Sequence, residues 1–427
     1  MAENQDSGNT LAGVDWPLLC PWLLLFRSFR VAVGASVLAI ATLGALATPM
    51  GWRLLEPIYP SPQAAAPEQA ELSAVYVPQL PPQYLGKLPW QEIGREPQLA
   101  DPLNPLREAP AQMARMPNRL ARPWAEIFLS RLGTRETVYY ALGCLWTLLV
   151  WGMCGGVISR IAIVQLGRQE RVGLVESVRF VCSRPAFFCA PLLPQIAFVV
   201  ALICGGGIGL LMRLNIGVFL TALAWPLVLL LGLLCTVIFF GLLFGWPLMW
   251  GVISAEKNGD VFEASQRSYS YSFDRPLKYL FYITIAFAFG CLCWWLVRWF
   301  VHGVVYFTDW SLAWGAGWER IHELKNSDKG ILSVGGWIIA VCNALVLSVA
   351  AGFSYSYFWV AFSAIYLLLR RDVDEGVPFE QIYFPEESEA YQLPSLQYDG
   401  TGVPGVAEPP QTTTQEDQPT NGEESGA

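Results

Sequence analysis

The sequence predicts an all-α, polytopic helical membrane protein, and three observations lead to this fold class. Six apolar stretches are each long enough to cross a bilayer, which takes roughly 20 mostly apolar residues, and none has a charged residue or His in its core. Hydrophobic residues make up 54% of the chain and charged residues only 15%, unlike a soluble domain of 427 residues. The chain also contains 18 Trp residues, a type enriched at membrane interfaces. The predicted spans are residues 31–52, 138–158, 186–212, 216–254, 279–297 and 331–369.

The distribution of Lys and Arg predicts the orientation of these spans. Residues 159–185 contain five Arg and residues 255–278 contain four Lys or Arg, and an excess of these residues in short loops is typical of the cytoplasmic side. Both loops and both termini are therefore expected inside the cell, with six crossings of the cytoplasmic (inner) membrane. Five Arg residues between 115 and 135 oppose this orientation, but they end a long loop, and long loops translocate largely regardless of charge.

These spans divide the chain into five predicted segments. Residues 1–30 form a cytoplasmic N-terminal segment, residues 31–52 the first transmembrane helix, residues 53–137 a Pro-rich extracytoplasmic loop, and residues 138–371 the main membrane domain. Because 14 prolines fall between 57 and 123, that part of the loop is expected to be extended or disordered, with an interfacial helix over 124–135. Residues 372–427 contain 13 acidic and no basic residues, which predicts a disordered acidic cytoplasmic tail.

Two features of the spans leave alternatives open. Ala45-Leu46-Ala47 resembles a signal-peptide cleavage site, although the long, Trp-containing segment before it favours an uncleaved anchor. The blocks 216–254 and 331–369 are long for one crossing and short for two. Each is interpreted as one long helix, with a helix start, a kink or a re-entrant piece at Trp225-Pro226 or Gly335-Gly336.

An internal duplication is the least expected feature of the sequence. The segment beginning at Trp151 matches the segment beginning at Trp246 at five of nine positions. In each copy a polar, amphipathic stretch with a central acid follows, then an Arg-Pro pair, then the next span. The motif residues are Glu176, Arg184 and Pro185 in the first copy and Glu263, Arg267, Arg275 and Pro276 in the second. Two such units in the same orientation would form a parallel repeat about an axis normal to the membrane.

The second copy of this unit predicts a specific cytoplasmic helix. Asp260 is a good N-cap with Glu263 three residues later, and Glu263 with Arg267 forms an i,i+4 pair in the favourable order. Because the residue before Pro276 is pushed out of helical geometry, the helix is expected from Val261 to Phe273.

The same residues carry a resemblance to a known family. The run from Trp246 through Asp260-Val-Phe-Glu263-Ala and Arg267-Ser-Tyr to Arg275-Pro276 resembles uncharacterised polytopic membrane proteins of planctomycete-type bacteria. The segment Gly155 to Glu176 is similar to that family's first copy. The resemblance implies a membrane protein but no activity, because the family has no assigned function and no functional residues to transfer.

Few residues are candidates for catalysis or for binding a metal or a ligand, and the sequence predicts no catalytic residue, no metal site and no cofactor. Glu319 and His322 form an E-x-x-H pair, which on a helix is half of a di-metal carboxylate site, but a polar helix end on the outer face is the preferred explanation of the pair. Trp310, Trp314 and Trp318 recur every four residues, as expected of an amphipathic segment at the outer interface or of a stacking site for a ring-bearing ligand. Gly205-x-x-x-Gly209 and Gly241-x-x-x-Gly245 are interpreted as sites of close helix packing.

Three functions remain open from the sequence alone. The first is a non-catalytic scaffold or accessory subunit that lies in the lipid bilayer and meets a cytoplasmic protein partner through its acidic tail; nothing suggests a nucleic-acid partner. The second is a transporter-like or lipid-handling protein, which a cavity lined by polar residues of the spans would favour. Those residues are Gln195, Thr221, Asn343, Ser348 and Ser354. The third is an enzyme acting at the outer face through Glu319 and His322.

Overall fold

The chain forms two units, and nearly all of the described structure is helical. The computed structural model describes residues 20–59, 85–92, 104–129, 132–326, 330–374, 376–384, 396–398 and 404–406. The first unit is Met1–Ile382 and the second is Tyr383–Ala427. The second unit contains one short antiparallel ladder, Leu396–Tyr398 paired with Pro404–Val406, within the predicted disordered tail.

Six helices or helix pairs of the first unit are long and apolar enough to cross a membrane, which confirms the predicted fold class. They are α2 (Ala35–Leu55), α5 (Thr134–Gly167), α7 (Ala186–Cys189) with α8 (Leu192–Leu211), α10 (Trp225–Ala255), α12 (Pro276–Ala316) and α14 (Gly330–Val373). The other helices are α1 (Leu24–Ala32), α3 (Pro89–Glu92), α4 (Asn104–Leu129), α6 (Leu174–Cys182), α9 (Asn215–Leu223), α11 (Val261–Asp274) and α13 (Trp318–Asn326).

Two spans are much longer than a bilayer is thick. Helix α12 has 41 residues and α14 has 44, so each extends about 60 Å at 1.5 Å per residue, against a hydrocarbon core of about 30 Å. Helix α12 continues past the predicted end at residue 297 because nothing there breaks it, and it ends before Gly317, whose φ is +84°. The helix therefore contains Arg298 and His302, although the predicted span was uncharged.

The two 39-residue blocks differ from each other. The first is interrupted at Ala224, and α10 begins at Trp225 with Pro226 in its first turn, where a proline costs no helical hydrogen bond. The interpretation of that block as one helix was therefore wrong, although Trp225-Pro226 does begin a helix. The second block lies in one continuous helix, α14, which passes through Gly335-Gly336.

The prediction of an extended Pro-rich segment is wrong for residues 104–123, which belong to α4. This helix contains Pro110, Pro117 and Pro123, and each proline in a helix interior is less favourable than alanine by about 3 kcal/mol. Tertiary packing outweighs that cost, because buried apolar residues recur every three or four positions along α4. They are Ala109, Met113, Met116 and Leu120. Of the predicted interfacial helix over 124–135, residues 124–129 are the end of α4 and residues 134–135 begin α5. Residues 60–84, 93–103 and 130–131 lie outside the described residues.

Helix α4 lies against the spans themselves. Glu108 forms an ion pair with Arg298 of α12, and the rings of Phe128 and Phe198 of α8 are 5.3 Å apart. The middle of the helix packs on α12 near Gly290, where Met113 is a close neighbour. The segment predicted to be a loop is therefore part of the helix bundle and forms one wall of the site described below.

Glycines allow the closest helix contacts. A Cβ atom at Gly143 of α5 would overlap the ring of Trp52 on α2, so α2 and α5 pack closely because this position has no side chain. Two hydrogen bonds add to this contact: Trp52 Nε1 donates to Thr147 over 3.1 Å, and Trp151 Nε1 donates to Thr48 over 2.9 Å.

The two predicted glycine motifs behave differently. Gly241 and Gly245 lie against Tyr269 and Ser268 of α11, as expected for a packing site within the chain, whereas nothing described lies within 4 Å of a Cβ built at Gly209.

Candidate functional site

The two copies of the repeated unit have the same order of elements. The first copy runs through α5, α6, Arg184-Pro185 and then α7 with α8; the second runs through α10, α11, Arg275-Pro276 and α12. The predicted cytoplasmic helix of the second copy is α11, Val261–Asp274. Asp260 caps it by accepting a hydrogen bond from the Glu263 N–H over 2.7 Å, as predicted.

A network of charges joins the ends of α10, α11 and α14. We define the charged network as Glu256, Glu263, Arg267, Arg370 and Asp374. The predicted pair is formed, with Arg267 Nη2 2.8 Å from Glu263 Oε1. Glu256 Oε1 lies 3.3 Å from Arg267 Nη1 and 3.1 Å from Arg370 Nε, so one carboxylate is shared between two guanidinium groups. The network ties α10, which ends at Ala255, to α11 and α14.

Tyrosines complete this network. Tyr366 donates to Glu256 over 3.0 Å, and Tyr271 donates to Asp374 over 2.7 Å. Burial, the hydrogen bond to Asp374 and the negative charge of Asp374 all raise the pKa of Tyr271 well above its usual value. Tyr271 is therefore a neutral hydrogen-bond donor at physiological pH.

Two arginines of the first copy bind the end of α10 in the second copy. The guanidinium carbon of Arg160 lies 4.0 Å from the centroid of the Phe180 ring and that of Arg184 lies 4.5 Å from it. Both guanidinium groups donate to main-chain carbonyl groups at the C-terminus of α10, where cations are favoured. The acceptors are Ile253 (2.8 Å), Ser254 (2.5 Å), Glu256 (2.8 Å) and Lys257 (3.1 Å).

The remaining motif residues are not brought into this contact. Glu176 and Pro185 are exposed, as are Arg275 and Pro276. Glu176 has Phe180 rather than an arginine four residues later, so the i,i+4 ion pair of the second copy has no counterpart in the first. The two Arg-Pro pairs thus differ, because Arg184 binds another helix while Arg275 precedes α12 on the surface.

A cavity of about 330 Å³ lies where α4, α5, α8, α10 and α14 meet. We call it the tryptophan cavity, after Trp151, Trp246, Trp250 and Trp359 in its wall. Helix α10 contributes residues at positions 239, 242, 243, 246 and 250, which share one face of a helix with 3.6 residues per turn. Leu243 of α10 in this wall is 45% exposed and Asn118 of α4 is also exposed, so the wall reaches the outer surface of the bundle at both helices.

The repeat brings two of these tryptophans to the same partner. Trp151 and Trp246 occupy matching positions in the two copies, and both contact Trp359 of α14, with ring centroids 6.2 Å and 5.9 Å away. Trp250 lies 4.7 Å from Trp359. The sequence repeat was the one signal that could have pointed to this cavity, because helix α10 is apolar on all sides and its sequence does not indicate which face is buried.

Besides the exposed Asn118, three polar side chains of the wall are largely buried or paired. Thr147 accepts from Trp52 and donates to the Gly143 carbonyl over 2.8 Å. Arg122 pairs with Glu126 over 3.2 Å. Gln195 of α8 is only 8% exposed and forms no hydrogen bond with the described residues.

The five polar residues predicted to line one cavity do not come together. Gln195 lines the tryptophan cavity, whereas Ser354 lines a separate cavity of about 30 Å³ beside Arg115 of α4. Thr221, Asn343 and Ser348 line neither. Ser348 instead donates to the Leu345 carbonyl of its own helix over 2.6 Å, because a hydroxyl in an apolar helix can be satisfied by the preceding turn.

The other candidate residues lie away from this cavity. Glu319 and His322 lie on α13 and are exposed, and within the described part of the chain no three His, Cys, Asp or Glu residues are grouped as metal ligands would be. Trp310 and Trp314 lie on α12 with ring centroids 5.1 Å apart, and both are exposed, like Trp318 on α13.

The fold and the cavity define a polytopic helical membrane protein with an apolar internal site. Comparison of the chain with family models, with curated proteins and with solved structures finds no match.

Proposed function

We propose that this protein is a lipid-binding membrane protein whose tryptophan cavity holds the apolar part of a lipid. The observation that carries the proposal is the cavity itself. Its volume of about 330 Å³ is within the range of small-molecule sites, which are mostly apolar with a few placed polar groups. Its wall includes Leu243, an exposed apolar residue of the span α10, which would give a lipid a route into the cavity from the bilayer.

Binding rather than catalysis suits the chemistry of this wall. Arg122 is the one ionisable residue among the described residues that line the cavity, and it is paired with Glu126. General acid–base catalysis needs a titratable group positioned on the reacting atoms. The surrounding side chains instead offer ring faces and aliphatic groups, which suit hydrocarbon.

A cavity-filling variant tests the proposal. Ala125 of α4 lines the cavity, and Ala111 of the same helix is exposed and does not. We expect purified wild-type protein and Ala111→Trp to retain lipid after detergent exchange and Ala125→Trp to lose it, as measured by native mass spectrometry. Equal lipid retention by the three proteins, with unchanged helical content, would refute the proposal.

The scaffold function is a second candidate, favoured by the way the first part of the acidic tail is held by the helices. Arg168 donates to the main-chain carbonyls of Glu380 and Ile382 over 2.9 Å and 3.0 Å, and Arg370 donates to that of Gln381 over 2.8 Å. We propose that the tail beyond this anchored segment binds a cytoplasmic protein. Truncation after Phe384 preserves the anchored segment and removes most of the acidic tail. If affinity purification of the full chain and of the truncated chain recovers the same proteins, the tail has no such role.

We also propose that α6, α11 and the charged network face the cytoplasm of a cell with this protein in its inner membrane. The Lys and Arg content of residues 159–185 and 255–278 supports this orientation. In a cysteine-free background, Glu176→Cys should be protected from an impermeant thiol reagent in intact cells and Trp314→Cys should be labelled. The reverse pattern would invert the topology.

A further inference from the structure

We infer that the lipid in the tryptophan cavity is an ester-linked glycerolipid whose ester carbonyl accepts a hydrogen bond from the side-chain amide of Gln195. This inference rests on the proposed lipid-binding function and adds the chemical class of the ligand. Lipid tails are as apolar as the cavity wall, so hydrocarbon contacts alone give little preference for one lipid over another. Selection must come from the shape of the cavity and from its polar groups.

Gln195 is the polar group that requires a ligand. Its side chain lies in the cavity wall on α8 and is more than nine-tenths buried. Buried polar groups in proteins nearly always have a hydrogen-bond partner, yet Gln195 has none among the described residues. A ligand atom in the cavity would supply the missing partner.

Other polar groups at the cavity are less suited to this role. Thr147 and Arg122 already bond to protein groups. Asn118 is exposed, and Trp124 and Trp246 are only half-buried, so their polar groups do not require a ligand. The indole N–H groups of Trp250 and Trp359 also lack partners among the described residues, but their nitrogen atoms are fully buried by surrounding atoms. A ligand in the cavity would therefore meet the amide of Gln195 before it met either indole nitrogen.

The surroundings of Gln195 specify what kind of polar atom fits. Phe198 lies one turn further along α8, and Phe239 and Trp246 of α10 also line the cavity, so the partner of Gln195 must be a polar atom flanked by hydrocarbon. A fully charged headgroup would lose its hydration there without a countercharge. An ester carbonyl joined to an acyl chain meets this requirement, and ester lipids are already present in the bilayer around the bundle.

The test compares a diester phosphatidylcholine with the diether analogue that has the same chains but no carbonyl groups. One neutral hydrogen bond should favour the diester by about 3- to 10-fold in competition for wild-type protein in detergent micelles, measured by native mass spectrometry. Gln195→Leu should bind the two lipids equally, and Gln195→Asn should restore part of the preference for the diester. Circular dichroism and melting temperature check that each variant is folded.

The outcomes separate this inference from the proposed function. Equal binding of both lipids by wild-type protein, with binding abolished in Ala125→Trp, would overturn the role of Gln195 and leave lipid binding intact. A preference for the diester that persists in Gln195→Leu would also overturn it. Binding of either lipid that is unaffected in Ala125→Trp would instead overturn the proposed function.

Discussion

Substitution of Glu256 by Gln should destabilise the protein more than any other single change in the charged network. Glu256 Oε1 contacts Arg267, Arg370 and Tyr366 at 3.3, 3.1 and 3.0 Å. The side chain of Arg370 is only 8% exposed and that of Glu256 only 14%. A neutral Gln would leave the buried charge of Arg370 with no other carboxylate paired to it among the described residues, where its remaining bond is to the Gln381 carbonyl.

The expected loss follows from this burial. Removing one partner of a buried ion pair costs about 3–5 kcal/mol, and the partial exposure of Glu256 places the estimate at about 3 kcal/mol. The apparent melting temperature in detergent should therefore fall by on the order of 5 °C. Glu263→Gln is the matched control, because this pair with Arg267 is more exposed and an i,i+4 pair contributes only about 0.5 kcal/mol.

A double-mutant cycle makes this prediction specific. Arg370→Met removes the buried charge that Glu256 neutralises, so the double variant Glu256→Gln with Arg370→Met should lose much less stability than the sum of the two single losses. Additive losses, or a Glu263→Gln loss as large as that of Glu256→Gln, would refute the assignment of Glu256 as the centre of the network.

Three further predictions concern other contacts of the bundle. Gly143→Ala should lower the free energy of unfolding by about 1–3 kcal/mol, because the new methyl group overlaps a ring of α2. Gly206→Ala should not, since no described atom lies within 4 Å of a methyl group there; equal losses would contradict this contact. Arg184→Met should lower the free energy of unfolding by about 1–3 kcal/mol, because it removes hydrogen-bond donors from the end of α10. Arg275 is exposed, so Arg275→Met should change it by under about 0.5 kcal/mol. A larger loss for Arg275→Met than for Arg184→Met would be inconsistent with the contact. Because folding raises the pKa of Tyr271, its contribution to stability is complete below pH 10, the ordinary pKa, and is lost as the pH rises above it. The melting temperature should therefore fall less steeply between pH 8 and 11 for Tyr271→Phe than for wild type. Parallel pH dependences would exclude this contribution.

Features set by local sequence could be predicted, and the capped helix of the second copy shows why. Asp260, Glu263 and Arg267 lie within eight consecutive residues, so their capping bond and ion pair depend on helical geometry alone. The six apolar helices could be predicted for a similar reason, because length and composition are properties of each segment by itself.

Features set by contacts between distant segments could not be predicted. Helix α4 violates proline preferences and forms because its apolar face packs on α5, α12 and α14, which no local pattern reveals. Arg160 and Arg184 bind carbonyl groups that are between 69 and 94 residues away in sequence. The cavity was missed because α10 is apolar on every side, so the sequence gives no indication of which face lines it.

Photocrosslinking with a lipid that has a diazirine in its acyl chain tests the central claim most directly. Peptides from α8 and α10 that contain Gln195, Phe198 and Trp246 should be labelled in wild-type protein, and Ala125→Trp should abolish that labelling while sparing the exposed face of α10 at Leu229 and Leu230. Labelling spread evenly over the exposed apolar faces, and unchanged by Ala125→Trp, would contradict lipid binding in the tryptophan cavity.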